Sequence, residues 1–282
     1  MHWLVAVSIL WGFSFVMIKG SLVPLDSSFV SLARLLLSLA VFIPFLRPAG
    51  TLWPDRLKLA LIGAVQFGLM YVAYVASYQH LPAHVIALMT TTTPLFVTLF
   101  NDMHEKRLHR GFLLAALLSV AGGAVIQFPD QPSAVNLYGV ALVQASNAAF
   151  AYGQIAYKRL MASRPALRDK DVFGFLYAGA VVAAGLFSLW MTDYSQLSVQ
   201  RDQWLVLLYL GLVASGLCFF LWNLGARRVN EGTLAVMNNL KIPVGVVASL
   251  AILRESTDYG RLIIGCALFA AALWLNERRT KR

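Results

Sequence analysis

The chain repeats itself, and that repeat limits the possible folds more than any other feature. Residues 63–89 (GAVQFGLMYVAYVASYQHLPAHVIALM) align without a gap to 211–237 (GLVASGLCFFLWNLGARRVNEGTLAVM). The constant shift sets Gly63 on Gly211, Val65 on Val213, Gly68 on Gly216, Leu69 on Leu217, Ala87 on Ala235 and Met89 on Met237. One extra residue then brings Pro94 opposite Pro243, and upstream WGFSFVMIK (11–19) faces FAYGQIAYK (150–158). If each half crosses a membrane an odd number of times, the second half enters from the opposite side. Inverted repeats of this kind let secondary transporters build two alternating gates about one central site.

Composition agrees with a membrane setting. Of the 282 residues 59% are hydrophobic and only 13% charged, with a mean hydropathy of +0.68. A soluble domain of this size needs more polar surface, so the expected fold class is all-α integral membrane. Apolar stretches of about 20 residues, long enough to cross, fall near 3–20, 27–46, 57–79, 83–101, 111–128, 136–157, 172–192, 203–225, 232–253 and 259–276. They predict ten transmembrane helices as two inverted five-helix repeats, 1–130 and 131–282, around a central cavity. The first stretch lacks the basic start and small-residue cleavage site of a signal peptide, so it is expected to be a span. Its shortness leaves room for native residues ahead of Met1.

The formal charge of +10 does not describe a nucleic-acid surface, because the basic residues form no groove or stripe. They sit between the predicted spans. With the amino terminus in the cytoplasm, seventeen lysines and arginines fall on the cytoplasmic side and four on the other. That bias predicts a multi-pass protein of the plasma (inner) membrane with both termini cytoplasmic. Cys218 and Cys266 lie in apolar runs and predict neither a disulfide nor a metal site. His80 and His84 straddle Pro82, and no phosphate-binding glycine loop is present, so no cofactor, metal or catalytic residue is expected.

Charge inside a span is costly and therefore marks function first. Every acidic residue lies in a loop or at a span end, whereas Arg34 and Lys241 lie within spans. Lys241 precedes Pro243 by two residues and follows Asn238 and Asn239, a cluster of one cation, two amides and carbonyls freed by proline. It is a candidate for holding a substrate carboxylate; the other reading has it bonding freed carbonyls or reaching one membrane surface. Arg34 lies nearer one face, where backbone or lipid is as good a partner as a ligand. The matching site in the first half is Thr90 to Pro94, whose hydroxyls can bond the backbone at i−4 and bend the helix. Thr90 and Thr93 share a face and are placed opposite Lys241, and Pro94 and Pro243 are the expected helix-breaking, gating positions. Tyr71, Tyr74 and Tyr78 follow Phe67 at helical spacing, with Trp222 in the matching second-half span; they are read as core or pathway residues. Asn147 and Gln154 share one face of the sixth span, and Trp11 with Ser14 is their counterpart in the first.

Taken in order, these positions resemble an EamA-type member of the drug/metabolite transporter superfamily. The resemblance rests on Trp11-Gly12 with Lys19, Ala33-Arg34, and Thr93-Pro94-Leu95-Phe96. In the second half it rests on Leu221-Trp222 before Arg227-Arg228, then Pro243 and Arg254-Glu255. It implies a ten-helix basket around a cavity, and often export of amino acids or related metabolites. Relatives commonly carry glutamate directly before the ninth-span proline; here Ile242 stands there, with Lys241 one residue earlier.

The expected function is thus a secondary transporter exporting small zwitterionic or carboxylate metabolites, amino acids foremost, by alternating access. With no buried carboxylate for a proton relay, facilitative transport or exchange is expected, and proton coupling through Lys241 is the alternative. A non-transporting lipid-handling or assembly protein is the alternative of a different class. The expected partners are the small-molecule substrate and the lipid bilayer.

Overall fold

Capping residues and prolines cut the apolar sequence into helices. The computed structural model describes residues 1–22, 25–127, 136–253 and 258–280; within these ranges it describes the backbone alone at 13–21, 83–84, 248–253 and 279–280. The predicted 254–255 motif and the side chains of Ser14, Lys19 and His84 lie outside the described residues. Helix α1 spans His2–Ser21 and α2 spans Ser27–Phe42; Asp26 caps α2 by accepting from the Phe29 amide. Helices α3 (Trp53–Gly63) and α4 (Met70–Ser77) run on through a π-helical turn, Ala64–Leu69. There follow α5 (Ala83–Thr90), α6 (Thr93–Glu105), α7 (Arg110–Gln127), α8 (Leu137–Ala162) and α9 (Asp169–Met191). A second π-helical turn, Leu210–Leu217, joins α10 (Arg201–Tyr209) to α11 (Cys218–Ala226), before α12 (Glu231–Met237), α13 (Lys241–Leu253) and α14 (Tyr259–Thr280).

No strand occurs among the described residues. Among the described residues, six continuous helical stretches are long and apolar enough to cross a membrane: Ser27–Phe45, Trp53–Ser77, Arg110–Gln127, Asp169–Met191, Arg201–Ala226 and Tyr259–Arg278. This is an all-helical, multi-pass membrane protein. Its outer surface suits lipid: Leu186, Leu189 and Trp190 on α9 and Ile263 and Ile264 on α14 are all more than half exposed. The interior is aromatic, with Phe67, Phe173, Tyr177, Phe219 and Trp222 buried in one cluster.

The segments before Pro94 and Pro243 do not bend; they break. Residues 91–92 and 238–240 are turns, closed by short-range bonds such as Thr92 N to Met89 O and Leu240 N to Met237 O. All four threonine hydroxyls bond the carbonyl at i−3, not i−4 as the sequence suggested, because the turn tightens there. The two breaks touch. Asn239 Nδ2 donates to the Thr91 carbonyl at 2.8 Å and to the Ser119 carbonyl of α7 at 3.3 Å, so the amide fills the acceptor that the break leaves open at Thr91 and ties it to α7. Replacing Asn239 by alanine leaves the Thr91 carbonyl buried and unpaired, a cost of about 1–3 kcal/mol. A clear fall in thermal unfolding temperature in detergent is expected; an unchanged temperature would remove this bridge from the account.

Helix pairing follows a regular scheme. The α3 stretch and its π turn pack on α9, while α2 packs on the second π turn; α1 packs on α13 and α11, α8 on α6 and α4, and α7 on α14.

Candidate functional site

The broken helices bring their ends to a partly open cavity of about 120 Å³. Its wall takes Trp11 from α1, Arg34 from α2, Tyr71 and Tyr74 from α4, Thr90 from α5 and Thr93 from α6. Ser146, Asn147 and Phe150 of α8, Ala214 of the second π turn, Phe219 of α11 and Lys241 of α13 complete it with Met70. Among the described residues, no acidic side chain lines it.

Lys241 is half-buried at the first position of α13. Among the described residues it makes no hydrogen bond and no ion pair; its nearest recorded partner is the Trp11 ring, 5.9 Å from Nζ. It therefore does not serve the carbonyls that Pro243 frees. The positive end of α13 and the ammonium both favour an anion at this point. Trp11 is held in turn, its Nε1 donating to the Ala214 carbonyl at 2.9 Å and its ring packing against Phe219 and Trp222.

Arg34 is the second cation. It is 7% exposed, and its Nε and Nη2 donate to Ser215 Oγ at 3.1 and 2.9 Å, with Nη2 also reaching Tyr71 Oη at 2.7 Å. Its guanidinium lies 4.5 Å from the centre of the Tyr71 ring. The sequence leaves Arg34 open between a backbone or lipid partner and a ligand; the structure gives it side-chain partners and a place in the cavity wall. Ser215 aligns with Phe67 in the repeat and carried no polar signal there, so nothing in the sequence pointed to it.

The opposite wall is neutral. Thr93 Oγ1 donates to the Thr90 carbonyl at 2.8 Å and approaches Asn147 Oδ1 at 3.1 Å, and Asn147 Nδ2 donates to the Met89 carbonyl at 2.9 Å. The Tyr74 and Tyr78 hydroxyls pair at 2.8 Å, and Tyr78 is 38% exposed.

Several positions placed at the site by sequence reasoning lie elsewhere. Gln154, Asn238 and Trp222 form a buried layer beside the cavity, Asn238 Nδ2 and Trp222 Nε1 both donating to Gln154 Oε1 at 3.2 and 3.1 Å. Asn239 turns to Thr91 and Ser119, since consecutive residues at a helix break face different ways. Tyr78 lies one turn past Tyr74, outside the cavity lining. Pro94 and Pro243 stand in the first turns of α6 and α13 and contribute no cavity surface themselves.

Beyond the Gln154 layer the bundle is closed by charge. Asp169 accepts from Arg227 and from Tyr157 Oη; Lys158 pairs with Glu231 at 2.8 Å, and Arg159 with Glu105 at 3.0 Å. Arg164 pairs with Asp55 at 2.8 Å, and that carboxylate raises the guanidinium's pKa. These pairs tie the ends of α3, α6, α8, α9, α11 and α12 together. The cavity lies on the other side of the aromatic and amide layers.

The EamA-like transporter family model matches residues 1–128 and 137–277. The chain is 40% identical over 279 residues to a probable biotin transporter of Pseudomonas aeruginosa, covering 98% of this chain and 97% of that protein. It is 37% identical over 277 residues to the biotin transporter of Salmonella typhimurium, covering 98% and 92%. A probable amino-acid metabolite efflux pump of Salmonella typhimurium is more distant, 27% identical over 288 residues, covering 98% and 95%. One solved structure, titled only as the crystal structure of a protein, matches with a TM-score of 0.78 at 19% identity over 99% of this chain and 98% of that one. At that identity it speaks for the fold alone.

Proposed function

Because the chain belongs to the EamA-like transporter family, we propose that this membrane transporter carries a small monocarboxylate, biotin or a close analogue, by alternating access. One observation carries the reading: Lys241 sits half-buried in a cavity with no acid among its described lining residues, and it has neither hydrogen bond nor ion pair to a described residue. An unpaired cation at depth is costly unless an anion arrives to meet it. Biotin offers one carboxylate, an aliphatic chain and an uncharged cyclic urea. Relatives at 37–40% identity are named for its transport.

The reading includes the membrane arrangement. Ten spans in two inverted units, 1–130 and 131–282, account for the matched helix breaks and matched π turns. They also account for the paired packing of α3 on α9 and of α2 on the second π turn. Charge bias in the loops puts the ion-paired end, and both termini, in the cytoplasm of a cell whose plasma (inner) membrane holds the protein. The cavity then faces outward, and the ion pairs are what must part for it to open inward. In this reading Thr90, Thr93, Asn147, Tyr71, Tyr74 and Trp11 contact substrate with Lys241, and Pro94 and Pro243 set the hinges.

Export of amino acids or related metabolites is the second reading, favoured by the more distant relative and by the neutral Thr90–Thr93–Asn147 wall, which can receive an ammonium group. Competition in liposomes containing only this protein separates the two. Biotin is expected to displace labelled biotin, while amino acids and lipophilic cations do so weakly or not at all. Strong competition by either of those classes, with none by unlabelled biotin, overturns the carboxylate reading. Facilitative movement or exchange fits a cavity whose described lining holds no acid. Uphill accumulation under a pH gradient at clamped voltage, lost in Lys241→Gln, would instead establish proton coupling.

A further inference from the structure

The hydrogen bonds at Arg34 define the chemistry of one corner of the cavity. Ser215 Oγ accepts from both Nε and Nη2 of Arg34, which fills its two lone pairs. The 2.9 Å contact between Ser215 Oγ and Tyr71 Oη must then be a bond that serine donates. Tyr71 Oη thereby accepts twice, from Ser215 and from Arg34 Nη2. Its own hydroxyl hydrogen has no acceptor among the described residues, and neither do the hydrogens of Arg34 Nη1. Both side chains line the cavity, so this corner offers donors only. It cannot satisfy an amine or a guanidine, and it is suited to an oxygen that only accepts.

We propose that Arg34 and Tyr71, positioned by Ser215, form a second subsite that binds an uncharged carbonyl oxygen, of the urea or amide type, while Lys241 holds the carboxylate. This rests on the carboxylate reading of Lys241 above. The division between the two cations follows from their surroundings. The Arg34 charge is already spread over two hydroxyl oxygens and an aromatic face, leaving one guanidinium nitrogen to offer. The Lys241 ammonium has no hydrogen bond to spend elsewhere among the described residues, so it takes the ion. Across the cavity, Thr90 and Thr93 have committed their hydroxyl hydrogens to the carbonyls of Ala87 and Thr90 and keep oxygen lone pairs. Those lone pairs can receive the N–H groups that flank a urea carbonyl. A ligand that lacks the carbonyl leaves the Arg34 corner unpaired, and polar sites reject such ligands strongly.

The test compares biotin with iminobiotin, in which an imine nitrogen replaces the urea oxygen, for binding to the purified full chain. Wild-type protein is expected to prefer biotin by 100-fold or more, a loss on the order of that seen when buried polar groups go unpaired. Tyr71→Phe keeps the ring and removes the free donor, and it should shrink that preference by about 3- to 10-fold; Arg34→Gln should shrink it by about 10- to 100-fold. A merely structural role would weaken both ligands equally and leave the ratio unmoved. Equal affinities in wild type, or wild-type ratios in a variant that folds, overturn the subsite; should Arg34→Gln fail to fold, Tyr71→Phe decides. The outcomes separate from those for the broader reading. Biotin binding that is unweakened in Lys241→Ala, or is missing in wild type, sinks the carboxylate reading itself.

Discussion

Replacing Lys241 by alanine is expected to abolish transport while leaving the fold intact. A charge-assisted bond from ammonium to carboxylate contributes about 1.5–3 kcal/mol, or roughly 10- to 150-fold in affinity. Nothing in the described structure depends on Lys241 for a hydrogen bond, so its removal strands no partner. It removes an uncompensated cation from a half-buried place, and the unliganded protein should be no less stable, or somewhat more stable, for losing it. Two readouts therefore move apart: the unfolding temperature of the unliganded variant stays level or rises, and the stabilisation that biotin confers on wild type disappears. Poor expression or aggregation of Lys241→Ala would make the lysine structural. Normal uptake by a well-folded variant would take it out of the site.

How Lys241 came to be visible in the sequence bears on what was not. A lone cation in an apolar run stands out whatever its neighbours do, because the cost of burial is a property of the side chain. The breaks before Pro94 and Pro243 were legible for a similar reason, since proline cannot continue a helix. The π turns at Ala64–Leu69 and Leu210–Leu217 left no such mark. An extra residue in a helical turn changes which faces align without changing composition, although Gly63, Gly68, Gly211 and Gly216 had already paired in the repeat. The same shift of face explains the site. Asn238 and Asn239 were read together as cavity amides, yet each fills a gap in the backbone or a neighbouring amide. Arg34 was judged by its depth along α2, whereas its partners Tyr71 and Ser215 come from helices that only tertiary packing brings near. Among the described residues, six continuous helices are long and apolar enough to be recognised as spans by length and composition alone. The 83–105 and 231–253 segments are not continuous, and α8 carries Gln144, Asn147 and Gln154 along its length.

The largest effect on folding is expected at the crossing of α3 and α9. A Cβ on Gly63 would collide with the Leu176 backbone, and one on Gly179 with the backbone of Ala60. The contact is reciprocal: each helix presents a glycine to the main chain of the other, so neither can yield by rotating a side chain. Close approach of this kind supplies much of helix association in a membrane, where lipid tails compete for any apolar face and dispersion contacts between backbones must do the holding. Gly179→Val or Gly63→Val forces the axes apart along an interface that buries Leu59, Ile62, Leu176 and Ala180. Overpacking commonly costs about 1–3 kcal/mol and more where backbone is the obstacle; loss of monodisperse protein or a sharply lowered unfolding temperature is the expected result. Gly211, the repeat counterpart of Gly63, meets mainly the Leu37 side chain, with the Arg34 carbonyl at 3.2 Å, so Gly211→Ala should be the milder change. Gly50, with nothing near its added Cβ, should tolerate alanine. A Gly179→Val protein that purifies and unfolds like wild type would mean that α3 and α9 separate freely, and the close crossing would then contribute little to stability.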